Sequence, residues 1–305
     1  MATGAAFRRG RSNIVLPTEA DYSFYRVRPN GRIFRFVIQE SESERPMANN
    51  KSTITKSQGE AGYAPVNGLE MYYELHGTGE PLLLLHGQFA SIGMFSGILP
   101  ELAQSRRVIA VEQQGHGHTA DVDRPLRFEQ MADDTAALLR QIGIAKSDVY
   151  GYSTGGWVAL HLAIRHPSMV RRLAVSSAAY DSDGYLPQIK QGLLNPDPDA
   201  FPAIIRESYE RVAPMPDQWS TLVAKAGEQA AAERGLTAAQ LSSITAPALV
   251  MAAERDVIRP EHSRELARLL RTELVILPNS DHSSYVSDNT AALLAKLRTF
   301  FNLPE

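Results

Sequence analysis

The stretch Asp148-Val149-Tyr150-Gly151-Tyr152-Ser153-Thr154-Gly155-Gly156-Trp157 has the pattern of a buried strand that turns sharply into a helix. A serine stands at the turn, and Gly151-x-Ser153-x-Gly155 is the nucleophile-elbow signature. Such a turn crowds the positions on both sides of the serine, so residues without a Cβ are needed there. The serine Oγ is then raised beside the first N–H groups of the helix. A glycine-rich turn that contains a serine by accident matches the same pattern, so the surrounding sequence is needed to distinguish it from a nucleophile elbow.

Strands and helices alternate on both sides of this stretch. Leu82–Leu85 is apolar on both faces, as expected of a central strand that helices cover. Further buried strands are predicted at Arg107–Val111 and Val170–Val175, with helices at 127–142 and 155–165. This alternation predicts an α/β fold with a mostly parallel central sheet flanked by helices.

The alternation stops over residues 180–243, which are rich in Pro, Asp, Ala and Gln. Helices are predicted there near 202–212 and 217–232, and strands resume afterwards. We therefore predict one domain over residues 61–305 that carries a helical cap insertion at about 180–243. The insertion is expected over the carboxyl edge of the sheet, where ligands bind in open α/β sheets.

Residues 1–60 differ from this pattern. Residues 1–46 contain eight arginines and no lysine, and a polar stretch follows Met47. We predict a loosely attached and poorly ordered extension, or else a natural start of the chain at Met47. Arg32–Ile38 alternates like a strand, but no partner for it is predicted nearby. No secretory signal is predicted, because polar residues stand where its apolar segment should be.

Composition restricts the possible partners and the compartment. The 305 residues carry a formal net charge of −3, which argues against nucleic acid or an anionic membrane as the main partner. Disulfides, thiolate catalysis and zinc–thiolate sites are excluded because the chain has no cysteine. No apolar run approaches the roughly 20 residues that span a bilayer, so no membrane insertion is predicted. We predict a cytoplasmic protein, with an organellar targeting sequence in residues 1–46 as the alternative. The sequence does not indicate the oligomeric state.

An alcohol nucleophile needs a base to take its proton, and the base needs an acid to orient it. Asp256 and His282 each come directly after a predicted strand, where a rigid sheet could aim them. The order Ser153, Asp256, His282 is the one expected of this elbow class. Asp181 and Glu254 are the rival candidates for the acid.

The chain resembles the α/β-hydrolase superfamily over roughly residues 62–303, most closely its capped esterase-like and cofactor-free haloperoxidase-like members. The motifs are Leu85-His86-Gly87, Gln114-Gly115-His116-Gly117, the elbow, and the loops that hold Asp256 and His282. This resemblance implies a catalytic triad of Ser153, His282 and Asp256, and no cofactor or metal.

The resemblance also implies an oxyanion hole made by the backbone N–H groups of Gln88 and Thr154. His86 is expected to brace the neighbouring loops rather than move protons. Loop packing is favoured over a metal pair for the two histidines at 116 and 118, and surface positions are predicted for the two at 76 and 262.

Apolar side chains could line a substrate pocket. The first candidates are Phe89, Tyr152 and Trp219, followed by Met94, Phe95, Tyr180, Tyr185 and Met215. An apolar cleft with few charges suits a small or medium acyl ester, an aryl ester or a lactone as the small-molecule substrate. The sequence therefore predicts a serine esterase. Alternatives on the same triad are a cofactor-free perhydrolase or haloperoxidase and a C–C bond hydrolase.

Two readings from other classes remain. A non-catalytic ligand-binding receptor could share the fold. A lyase or oxygenase without a cofactor would use His282 as a base and make little use of Ser153.

Overall fold

The computed structural model describes residues 24–27, 33–36 and 59–304. The chain divides into two compact units, residues 1–52 and 53–305. In the first unit, strand β1 (Phe24–Val27) pairs antiparallel with strand β2 (Ile33–Phe36).

The strand expected at Arg32–Ile38 therefore has a partner, and the prediction that it lacks one is wrong. Four aromatic, basic and β-branched residues, Phe24–Val27, form that partner, and a run so short gives little periodic signal. Met47, the proposed natural start, lies outside the described residues. The poorly ordered extension predicted over 1–60 also falls mostly outside them and stays a prediction.

The second unit is built on an eight-stranded sheet with the strand order β10-β9-β8-β7-β5-β6-β4-β3. Its strands are β3 (Glu60–Val66), β4 (Leu69–His76), β5 (Glu80–Leu85), β6 (Arg106–Val111), β7 (Ser147–Tyr152), β8 (Val170–Ser176), β9 (Ala248–Arg255) and β10 (Leu274–Asp281). Only β3 and β4 run antiparallel to their neighbours, and the other pairs are parallel. The predicted fold class is confirmed.

Helices cover both faces of the sheet and fill the segment between β8 and β9. They are α1 (Leu99–Ala103), α2 (Phe128–Gln141), α3 (Thr154–Arg165), α4 (Pro187–Leu194), α5 (Ala203–Val212), α6 (Trp219–Ala232), α7 (Ala238–Ser242), α8 (Pro260–Leu269), α9 (Ser284–Ser287) and α10 (Ala291–Phe301). The helices predicted near 202–212 and 217–232 correspond to α5 and α6. No helix within residues 59–304 is both long and apolar enough to cross a membrane.

The core lies in two layers, one on each face of the sheet. Leu83 and Leu85 pack with α2 and α3, whereas Leu82 and Leu84 pack with α1 and α10. All four leucines are fully buried, so β5 is covered on both sides as its apolar run predicts. Burial of this kind fixes the carboxyl ends of β5 and β7 next to each other.

Strand β3 is the main element that the sequence did not predict. It contains Gly62 and Pro65, which are unfavourable in a central strand. Proline is tolerated here because β3 is the edge strand, with only β4 beside it. Ala64 and Val66 face the core while Tyr63 is exposed, so β3 is held by one apolar face and by its antiparallel pairing with β4.

The segment 180–243 is joined to the sheet domain by a partly buried ion pair. Lys225 of α6 donates from Nζ to Asp121 Oδ2 at 2.6 Å and to the carbonyl oxygens of Val122 and Arg124. The acceptors lie in the loop after β6. This contact ties α6 to that loop, and the role of the segment as a cap stays a prediction.

Candidate active site

The turn between β7 and α3 holds Ser153 at φ 52° and ψ −118°. A positive φ is strained for a residue with a Cβ. A Cβ on Gly151 would lie 2.3 Å from the carbonyl oxygen of Gly155, and a Cβ on Gly155 would lie 2.0 Å from that of Leu85. The steric requirement for glycine on both sides of the serine is confirmed.

Ser153, His282 and Asp256 form one hydrogen-bonded chain. His282 Nε2 lies 3.1 Å from Ser153 Oγ, and His282 Nδ1 lies 2.7 Å from Asp256 Oδ1. Asp256 follows β9 and His282 follows β10, so the group lies at the carboxyl ends of β7, β9 and β10, with β8 between β7 and β9. The structure thus brings together the three side chains predicted from the sequence.

The two rival acids do not meet the imidazole of His282. Asp181 accepts from the N–H of Asp183 at 2.7 Å and caps a short turn. Glu254 accepts from the N–H of Asn279 and pairs with Arg255 at the surface. In residues 59–304, Asp256 is the carboxylate hydrogen-bonded to that ring.

Asp256 is held as a buried carboxylate by several donors. Its Oδ1 accepts from the N–H of Val257 at 2.7 Å, and its Oδ2 accepts from Ser177 Oγ at 2.5 Å and from the N–H of Ala253 at 3.0 Å. Burial alone would raise the pKa of Asp256, but the hydrogen bonds from His282, Ser177 and Ala253 outweigh it and lower that pKa. An ionised Asp256 keeps a proton on Nδ1 and leaves the Nε2 lone pair facing the serine.

Ser177 is a site residue that the sequence analysis missed. It is buried, has φ 49°, and receives a hydrogen bond from Tyr285 Oη at 2.7 Å while it donates to Asp256. The available signal was its position directly after β8, at the same sheet edge as the other site residues. A serine after a strand is too common for that position to mark it.

We expect Ser177→Ala to lower kcat for ester hydrolysis by about tenfold, because a hydrogen bond to a charged group is worth about 1.5–3 kcal/mol and only part of it bears on the transition state. KM should change little, since Ser177 lies behind Asp256. Steady-state kinetics on a p-nitrophenyl ester give the measurement. Ser220→Ala, at an exposed position on α6, is the control and should match the wild type. An unchanged kcat in Ser177→Ala would remove Ser177 from the site.

The loop after β5 passes beside the serine. A Cβ on Gly87 would lie 3.5 Å from Ser153 Cβ and 2.8 Å from Tyr152 Cε1. The next N–H, that of Gln88, and the N–H of Thr154 at the start of α3 have no backbone carbonyl as acceptor within the described ranges. The chain therefore leaves two N–H donors free close to Ser153.

His86 braces this loop, as expected. Its Nε2 accepts from the N–H of Gln113 at 3.1 Å and its Nδ1 donates to the carbonyl oxygen of Gly87 at 2.8 Å. Burial, with a contribution from nearby His116, lowers the pKa of His86 to about 3. The ring is therefore neutral, with the tautomer that these two bonds require, and it links the loops after β5 and β6.

Two of the aromatic side chains predicted to line a pocket contact each other: Phe89 in the loop after β5 and Trp219 at the start of α6. The rings of Phe89 and Trp219 lie 5.2 Å apart, and Phe201 packs edge-on against both. Trp219 is buried and donates from Nε1 to the carbonyl oxygen of Pro198. Tyr152 donates from Oη to the carbonyl oxygen of His282 at 2.7 Å and so helps to place that residue.

The remaining apolar candidates have other contacts. Phe95 is fully buried against Tyr150, in the core layer that contains Leu82 and Leu84. Tyr180 stacks on His262, and the hydroxyl of Tyr185 accepts from Trp157 Nε1.

His262 is buried, and its predicted surface position is wrong. Its Nε2 accepts from the N–H of Tyr180 at 3.1 Å, and burial lowers its pKa to about 4. Charged neighbours along the sequence suggest exposure, but His262 and Leu266 are four residues apart on α8. They therefore share the inward face of that helix.

The model of the Alpha/beta hydrolase family matches residues 82–296, well over half of the chain. The chain belongs to the alpha/beta hydrolase family. This hydrolase is 30% identical over 243 residues to the pimeloyl-[acyl-carrier protein] methyl ester esterase of Neisseria meningitidis serogroup B. The match covers 71% of this chain and 91% of the esterase.

Solved structures agree on the fold. A bacterial membrane phospholipase A is 24% identical with a TM-score of 0.68, over 80% of this hydrolase and 86% of the phospholipase. The enol-lactonase from Burkholderia xenovorans is 23% identical with a TM-score of 0.63, over 79% of this hydrolase and 99% of the lactonase. The resemblance drawn from the motifs is confirmed, and the protein is an esterase-like hydrolase.

Proposed function

We propose that this hydrolase cleaves carboxylic esters through an acyl-enzyme on Ser153. The observation that carries the proposal is the hydrogen-bonded chain from Ser153 Oγ through His282 to Asp256, anchored on a serine with positive φ. Ser153 Oγ attacks the ester carbonyl carbon while His282 Nε2 takes its proton. The alcohol leaves with that proton, and water, deprotonated by His282, then releases the acid.

The oxyanion of the tetrahedral intermediate is assigned to the N–H groups of Gln88 and Thr154. Both are free of backbone acceptors, and Thr154 opens helix α3, whose N-terminus favours negative charge. The strained turn at Ser153 fixes the N–H of Thr154, and His86 braces the loop that carries the N–H of Gln88, before substrate arrives. Their preorganisation is the reason that the site would stabilise the transition state more than the bound ester.

The substrate class follows from the aromatic cluster Phe89, Phe201 and Trp219, which joins the loop bearing Gln88 to the segment 180–243. An apolar cluster near the triad suits a small or medium acyl chain, an aryl ester or a lactone. The names of two similar proteins, a methyl ester esterase and an enol-lactonase, also denote cleavage of an ester bond. A complete hydrogen-bonded triad disfavours the receptor reading.

Labelling with a fluorophosphonate followed by peptide mapping tests the proposal. We expect one label per chain on Ser153, because within residues 59–304 it is the alcohol paired with an imidazole that can take its proton. Ser177 is the internal comparison, since it also has a positive φ and faces the same edge but donates to a carboxylate. A p-nitrophenyl ester series of increasing acyl length then defines the substrate. Label on another residue, or no label, would overturn the mechanism.

A further inference from the structure

Three potential metal ligands meet where α2, α3 and the end of α6 come together. They are Glu129 in the first turn of α2, His161 in α3 and Glu233 directly after α6. One ligand atom of each lies within 4.8 Å of those of the other two. His161 is eight residues after Ser153, or about 12 Å along the helix, so this cluster is separate from the triad.

The imidazole of His161 is buried without a hydrogen-bond partner for Nε2. His161 is 4% exposed, and no hydrogen-bond donor or acceptor within residues 59–304 pairs with its Nε2. Phe128 stacks on the ring at 6.2 Å and 27°, which fixes its plane. A buried polar nitrogen without a partner costs about 1–3 kcal/mol, so its retention needs an explanation.

The two carboxylates add negative charge that is not paired at close range. Within the described part of the chain, neither Glu129 nor Glu233 has a salt-bridge partner. Glu233 accepts from backbone N–H groups, that of Gly235 at 2.9 Å and that of Arg234. Arg165 would be the nearest cation on α3, but it is bound by Asp133 at 2.9 Å. The charge of Arg127 acts on Glu233 from the start of α2 without contact. A cation between the three side chains would offset this charge.

We propose that Glu129, His161 and Glu233 bind one divalent cation, with Zn²⁺ as the best fit to two carboxylate oxygens and one imidazole nitrogen. Zinc takes such ligands at about 2.0–2.2 Å in a tetrahedron, which puts ligand atoms about 3.4 Å apart. The side chains would move together by about 1 Å, and the glutamates are partly exposed and free to do so. Water completes the fourth position.

The ion would act as a structural link. Glu129 and His161 belong to the helices that cover the sheet, whereas Glu233 ends the long helix of the segment 180–243. Binding would therefore fasten that segment to α2 and α3 at a second point, eight residues after Lys225, which pairs with Asp121. The proposal does not depend on ester hydrolysis, and its failure would leave the triad assignment untouched.

Titration of the EDTA-treated full chain with ZnCl₂, by calorimetry and thermal unfolding, tests the site. We expect one equivalent of zinc and a rise in Tm of about 5 °C at a free zinc concentration of 100 times Kd. His161→Ala and Glu233→Gln should each lose the stoichiometric binding and the Tm rise. Glu228→Gln, exposed on α6, and His76→Ala, which removes a partly buried His–Glu pair on β4, should keep both.

Two outcomes would overturn the proposal. One is the absence of stoichiometric binding to the wild-type chain. The other is an adventitious ion only, recognised by zinc binding that survives in Glu233→Gln or is lost in His76→Ala. Should His161→Ala fail to fold, Glu233→Gln still decides, because its isosteric amide at a partly exposed position changes one ligand with little effect on packing.

Discussion

Replacing Ser153 with alanine is expected to lower kcat for ester hydrolysis by at least about 10⁴-fold, as removal of a triad nucleophile does in other enzymes. The acyl-enzyme cannot form without Oγ, although the free N–H groups of Gln88 and Thr154 remain. Stability should be unchanged, since alanine keeps the Cβ at the same positive φ. Kinetics on p-nitrophenyl acetate and a thermal unfolding curve give the two measurements.

Thr154→Ala is the matched control for Ser153→Ala. It changes the neighbouring side chain but keeps the backbone N–H assigned to the oxyanion, so kcat should stay within a few-fold of the wild type. If Ser153→Ala retains most of the activity on the enzyme's best substrate, the serine mechanism is wrong. His282 would then act as a base on the substrate directly, as in the lyase or oxygenase alternative.

Gly155→Val is expected to cause the largest loss of stability among single changes at the site. A Cβ there would lie 2.0 Å from the carbonyl oxygen of Leu85 and 2.6 Å from that of His86, and both are backbone atoms that cannot rotate away. We expect the free energy of unfolding to fall by about 3 kcal/mol or more, which is at least about 6 °C in Tm. Urea unfolding followed by circular dichroism measures the change.

Gly192→Ala provides the comparison for Gly155→Val. Gly192 lies in α4 with no atom within 4 Å of an added Cβ, so alanine should leave stability unchanged or raise it by about 0.5–1 kcal/mol. A Gly155→Val variant as stable as the wild type would show that the approach of α3 to β5 is looser than the structure has it. The oxyanion assignment, which depends on that approach, would then lose its support.

Much of the site could be predicted because it lies at the ends of strands. Parallel strands end at one edge of a sheet, so residues directly after β7, β9 and β10 all lie along that edge. Ser153, Asp256 and His282 are such residues, and the structure places them in hydrogen-bonding contact. Their catalytic role, and that of the Gln88 and Thr154 N–H groups, stays a proposal.

The sequence by itself determined the fold class and the strained turn at Ser153. Apolar runs and helical periodicity indicate which side chains are buried, and the glycines on both sides of Ser153 indicate where backbone segments pack closely. Only the tertiary structure decided that Ser177 supports Asp256, that His262 is buried, and that Glu129, His161 and Glu233 meet. These contacts depend on how helices far apart in the chain rotate and pack against one another. Periodicity gives the buried face of a helix but not the residues that this face will contact.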